Sequence, residues 1–186
     1  MAITTNDLKN GMTLDLPDGL FAVVDFQHVK PGKGGAFVRT TLRNARTGQV
    51  LERTFRAAER VEQAVIDKRE MSYLYKEGDD LVFMDTSSYE QMHVSPKALG
   101  SAASYLIEGS TAILQLYKDE IVGVDLPASV ELAVAQTEPG IQGDRVSGAR
   151  KPATLETGKI VQVPLFVNPG DRIKVDTRSG EYLTRA

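Results

Sequence analysis

Period-two alternation, cut again and again by turn residues, is what most constrains this chain. Apolar and polar side chains alternate over short runs, and "KPGKGG" (30–35), "RTGQ" (46–49), "KEGDD" (76–80), "YKDE" (117–120), "NPGD" (168–171) and "RSGE" (178–181) interrupt them. Alternation of that kind places successive side chains on opposite faces of a strand. Short strands with turns every 8 to 12 residues or so point to small all-β barrels. Three barrels fit better than one, because charge and turn pattern both change near residues 65 and 128. The expected domains are therefore 1–64, 65–128 and 129–186.

The clearest hairpin joins "FAVVDFQHV" (21–29) to "AFVRTTLRN" (36–44). In its second strand Phe37, Arg39, Thr41 and Arg43 alternate with Val38, Thr40 and Leu42, so one face carries arginines and the other faces a core. One helix is predicted in "SPKALGSAASYLIEG": Ser95 caps it, Pro96 takes the first helical position and Gly109 stops it. Leu99, Ala103, Leu106 and Ile107 are its expected buried stripe. The stretch 139–158 shows no apolar period and reads as a long loop of the functional or mobile kind. "GDDLVFMDTSS" (78–88) echoes "GDRIKVDTRS" (170–179), a weak hint that the second and third units share a fold.

Charge is unevenly spread over the 186 residues. The first unit has nine basic against seven acidic groups, residues 65–127 have five against eleven, and the remainder eight against seven. Within 29–60 stand Lys30, Lys33, Arg39, Arg43, Arg46, Arg53, Arg56 and Arg60, opposed only by Glu52 and Glu59. Such a cluster suits a polyanion, and it equally suits a solvated sheet face. The absence of cysteine excludes disulfides and thiolate metal sites. The N-terminal residues lack a basic segment followed by an apolar run, and no apolar stretch approaches the roughly 20 residues of a membrane helix. A cytoplasmic protein without a membrane partner is expected.

Catalytic groupings are scarce. His28 and His93 are the only histidines, and a lone histidine is more often structural than a base. No His/carboxylate cluster has metal-ligand spacing, so neither metal nor cofactor is expected. The glycines around Lys33 are not a phosphate loop, because strand rather than helix follows them. Gly32, Gly34 and Gly35 admit positive φ and keep the turn slender, with Pro31 preceding them. A lysine there can enter a narrow cleft as a mobile point charge; it also fits a tight hairpin with a solubilising lysine.

Three segments resemble the bacterial elongation factor P family. "FQHVKPGKGGAFVRTTLRN" is similar to its N-terminal hairpin, "SYLYKEGDDLVFMDTSSYEQ" to the start of its middle domain, and residues 130–186, with the specific run "KPATLETGKIVQVPLFVNPGD", to its C-terminal domain. The resemblance implies an all-β protein of three barrels, a KOW/SH3-like barrel followed by two OB-folds, in an L-shaped, tRNA-like arrangement. It implies binding to both ribosomal subunits between the P and E sites, beside peptidyl-tRNA, and relief of stalling at consecutive prolines by promoting peptide bond formation.

The hairpin lysine, here Lys33, would point toward the peptidyl-transferase centre. The family extends this lysine in subgroup-specific ways and in some subgroups leaves it bare, so the resemblance allows either an unmodified Lys33 or a post-translational extension of it by a lysine-modifying enzyme. Lys30, Arg39, Arg43 and Arg46 are RNA-binding candidates by charge and place. Arg145, Arg150 and Lys151 are candidates because "GDRVSGARKPA" matches the third-domain loop near the E-site codon. No residue is expected to be catalytic, since orienting reactants can lower a barrier without acid or base. A monomer is expected. The alternative is a general OB-type nucleic-acid-binding protein with no ribosomal role, which the aromatic content of 6% and the acidic middle unit disfavour.

Overall fold

Alternation becomes pleated sheet throughout the computed structural model, which describes residues 1–140 and 148–186. Six strands form the first sheet: β1 (Ala2–Thr4), β2 (Thr13–Leu16), β3 (Gly19–Val29), β4 (Phe37–Asn44), β5 (Val50–Arg56) and β6 (Arg60–Ala64), in the order β1-β6-β2-β3-β4-β5. The second holds β7 (Asp67–Glu77), β8 (Asp80–Asp85), β9 (Gln91–Val94), β10 (Thr111–Tyr117) and β11 (Glu120–Asp125), in the order β11-β10-β7-β8-β9. In the third, β12 (Ser129–Thr137), β13 (Arg150–Leu155), β14 (Ile160–Pro164), β15 (Arg172–Asp176) and β16 (Tyr182–Arg185) run β14-β13-β12-β15-β16. The protein is thus all-β with three sheet domains. By compactness it divides into two units, Met1–Lys68 with Gln115–Gly123, and Arg69–Leu114 with Val124–Ala186.

In the first unit the core gathers Leu8, Leu14, Leu16, Phe21, Val23, Val38, Leu42, Phe55 and Val61. Val38, Thr40 and Leu42 of β4 are fully buried, while Arg39 and Arg43 between them are exposed. Thr40 keeps its hydroxyl satisfied inside by donating to the Arg53 carbonyl at 2.6 Å. Each fully buried Leu or Val contributes roughly 2 kcal/mol of apolar transfer.

Numbered from its own first strand, the second sheet has the order 5-4-1-2-3 and the third has the same order read backwards. The two share a topology, yet the sequence echo does not mark it. The matching segments lie on β8–β9, second and third strands of one sheet, and on β15–β16, fourth and fifth of the other. What repeats is a turn. Asp85 Oδ1 accepts from Ser87 and Ser88 N–H, and Asp176 Oδ1 from Arg178 and Ser179 N–H. A third copy has Asn44 Oδ1 accepting from Arg46 and Thr47 N–H. The fifth position of each turn is left-handed: Gly48 at φ +74°, Tyr89 at +62° and Gly180 at +76°.

The predicted long helix is shorter and of two kinds. An α-helix covers only Pro96–Leu99, capped by Ser95, and a 3-10 helix follows over Gly100–Tyr105. Gly100 is the cause, since its φ of +57° ends the α-helix after one turn. Three residues per turn then align Leu99, Ala102 and Tyr105, and these are buried, as is Leu106. Of the expected stripe, Ala103 and Ile107 are only partly buried. Tyr105 packs into the core of Leu132, Val134, Leu155, Val163 and Ile173 in the second unit.

The stretch 139–158 is not loop throughout, because β13 occupies Arg150–Leu155. Its inward residues are Lys151, Ala153 and Leu155. A charged residue at an inward position and Pro152 beside it hid the alternation.

Candidate nucleic-acid interface

The hairpin of β3 and β4 forms an arm. Its register runs from Phe21 opposite Asn44 to Val29 opposite Phe37, with a bulge between Val23 and Asp25. The bulge shifts which residues face inward: Phe21 and Val23 before it, Phe26 after it. Val38 near the far end is still fully buried, and exposure becomes continuous only at the turn, where every residue from Lys30 to Gly35 is exposed.

Lys33 therefore stands in solvent among glycines, as the sequence predicts. The three glycines are not equivalent. Gly34 alone is left-handed, at φ +105°, with the Pro31 ring 4.0 Å from where a Cβ would sit. Gly32 and Gly35 lie outside that region and have open space around them. A side chain there would meet no backbone obstacle; it would only widen the tip.

On β4, Arg39 lies between Gln27 and Thr54, and Arg43 between Ala22 and Val50, both on the exposed face. They are four residues apart on one strand, roughly 13 Å. Arg46 projects from the Asn44 turn and borders a cavity of about 420 Å³ shared with Asp15, Asp18, Tyr117 and Lys118, all in the first unit. In that cavity Asp15 Oδ2 accepts from the Tyr117 hydroxyl at 2.9 Å and from Lys118 Nζ at 3.4 Å.

Arg53 is withdrawn from the basic strip. Its guanidinium grips Asp18 with two hydrogen bonds of 3.0 and 2.6 Å and lies over the Phe21 ring, 5.5 Å from the centroid. Hydrogen bonding to Arg53 holds the Asp18 carboxyl below the usual carboxylate range, and the same bonds raise the arginine.

Of the third-domain candidates, Arg150 is exposed at the start of β13, opposite Pro164. Lys151 is corrected: it is 6% exposed and its Nζ donates to the Glu138 carbonyl at 2.6 Å. Strand alternation sends neighbours to opposite faces, so Arg150 and Lys151 cannot both face a ligand. Arg145 lies outside the described residues.

The histidines differ. His93 Nε2 contacts Glu77 Oε2 at 2.5 Å. His28 lies on the arm, exposed, its ring edge-on to Phe26 at 5.6 Å. Sequence reasoning gave His28 no role, because the bulge that sets its face is invisible in the alternation. Among the described residues no group of three His, Cys, Asp or Glu side chains could hold a metal ion. No helix of the described residues is long and apolar enough to cross a membrane. The arrangement offers cations at and beside the end of the β3–β4 hairpin.

Comparison with known proteins covers nearly all of the chain. Family models described as "Elongation factor P (EF-P) KOW-like domain", "Elongation factor P (EF-P) OB domain" and "Elongation factor P, C-terminal" match residues 4–61, 66–124 and 130–185. Elongation factor P of Acidothermus cellulolyticus is 57% identical over 183 residues, 98% of each chain. That of Parafrankia sp. is 58% identical over 182 residues, 98% of this chain and 97% of the other. Among solved structures, eukaryotic translation initiation factor 5A from Methanococcus jannaschii covers 68% of this chain and 92% of its own, at 24% identity and a TM-score of 0.50. A factor of the same type from Naegleria fowleri covers 68% and 98%, at 16% identity and a TM-score of 0.53. These two show a shared fold.

Proposed function

Because the chain belongs to the elongation factor P family and is a translation elongation factor rather than an enzyme, we propose that it binds the ribosome between the P and E sites, beside peptidyl-tRNA. There it promotes peptide bond formation and relieves stalling at consecutive prolines. The observation that carries this reading is the exposed run Lys30–Gly35 at the end of a paired arm, with Lys33 at its tip. A stem of paired strands, with β4 held between β3 and β5, that ends in a thin turn can enter a crowded RNA site and deliver one cation. Orienting the reactants there is worth several kcal/mol in principle.

Lys30, Arg39, Arg43 and Arg46 contact the tRNA and ribosomal RNA backbone, and Arg150 serves the third domain in the same way. The functional divisions are 1–64, 65–128 and 129–186, and the factor works as a monomer in the cytoplasm. Lys33 is also the site at which a modifying enzyme adds an extension, which lengthens the reach of the tip.

A tethered probe tests the placement. The chain has no cysteine, so Lys33→Cys provides a single attachment point for a hydroxyl-radical source. On ribosomes bearing P-site tRNA, strand scission is expected at the CCA end of that tRNA. Scission confined to other RNA would place the tip elsewhere.

A further inference from the structure

We propose that His28 is a further contact residue of the arm, its imidazolium donating to an anionic oxygen of the RNA backbone. The inference rests on the ribosome-binding reading above. The two histidines of the chain frame the argument. His93 already has a carboxylate partner in Glu77. No hydrogen bond or ion pair among the described residues engages His28, which is exposed two residues before Lys30.

Its ring is nonetheless held. Phe26 packs against the core of the first unit, and the His28 ring meets it edge-on at an interplanar angle of 86°. A ring fixed on one side by an aromatic and open on the other costs little further ordering when a ligand arrives.

The surroundings favour an anion. On the face that His28 shares, Val38 is directly opposite on β4, Thr40 is diagonal and Phe55 continues the row on β5. Further along that face Arg53 is neutralised by Asp18. The nearby acids Asp25 and Glu52 both pair with Thr41 and so lie on the other face. Toward the tip the next charged group is Lys30, a cation. No carboxylate on these strands competes for the imidazolium on its own face.

Histidine is the side chain whose charge ordinarily changes between about pH 5 and 8. An anion that accepts from the ring is bound more tightly by the protonated imidazole than by the neutral one, so any gain in affinity from this contact belongs to the lower pH.

Equilibrium binding to purified bacterial ribosomes decides the matter, using wild type, His28→Gln and His28→Lys at about pH 6 and about pH 8. Thermal melts confirm that the variants are folded. Because the ribosome also titrates, each ratio is taken relative to His28→Gln. Wild type is expected to gain about fivefold at the lower pH, the size of one charge-assisted hydrogen bond gained near the surface, and His28→Lys to bind tightly at both. If wild type binds and His28→Gln shows the same pH ratio, this proposal is overturned while the ribosome reading stands. If wild type does not bind ribosomes at all, both fall.

Discussion

Lys33 and Lys151 have opposite environments. Lys33 is exposed at a tip, and Lys151 is buried with its ammonium on the Glu138 carbonyl. Lys33 was legible because glycines on both sides leave a lysine little to pack against. Lys151 was not, because a buried lysine with one backbone acceptor looks in sequence like any basic residue of a glycine-rich stretch. The difference is measurable. Lys151→Met removes a charge-assisted hydrogen bond that ties Glu138 at the end of β12 to β13, and it is expected to cost about 1–3 kcal/mol in urea unfolding. Unchanged stability with weakened ribosome binding would restore Lys151 as an RNA contact.

At the scale of elements, one turn recurs at Asn44, Asp85 and Asp176. Its polar signature was visible as a sequence echo, but its meaning was not, since it builds hairpins on strands that are not equivalent in the two sheets. The aspartates add a pH dependence. Asp85 is held below the usual carboxylate range by the Ser88 and Ser87 N–H groups, and Asp176 by those of Ser179 and Arg178. A depressed folded pKa contributes stability that is present above the unfolded value, about 4, and is lost as pH falls through the folded value. Asp85→Asn with Asp176→Asn keeps an acceptor that does not titrate, as Asn44 does. The double variant is expected to show a shallower loss of stability in acid than wild type.

Tyr89 tests the backbone of the same turn. It holds the left-handed position that glycine fills in the other two copies, and it is 71% exposed. Tyr89→Gly relieves roughly 1 kcal/mol of strain, partly offset by the greater freedom of glycine in the unfolded chain. The melting temperature is expected to hold or rise, and a clear fall would show that the ring packs.

Across the whole molecule, the all-β class and the three sheets follow from period and charge, whereas β13 lies in a stretch that reads as loop. The shared 5-4-1-2-3 order does not follow from them, because pairing between distant strands leaves little local trace. Nor does Tyr105, which the break at Gly100 sets in line with Leu99 and Ala102. What the first sheet presents is one hairpin end with Lys33 at its tip. The direct test of its purpose is the rate of peptide bond formation on ribosomes halted before a third consecutive proline. Factor purified from its own cells is compared with its Lys33→Ala variant at saturating concentration. Wild type is expected to speed the step by at least about tenfold, about 1.4 kcal/mol of barrier, and the variant to bind yet add little. Equal acceleration by Lys33→Ala would contradict the account.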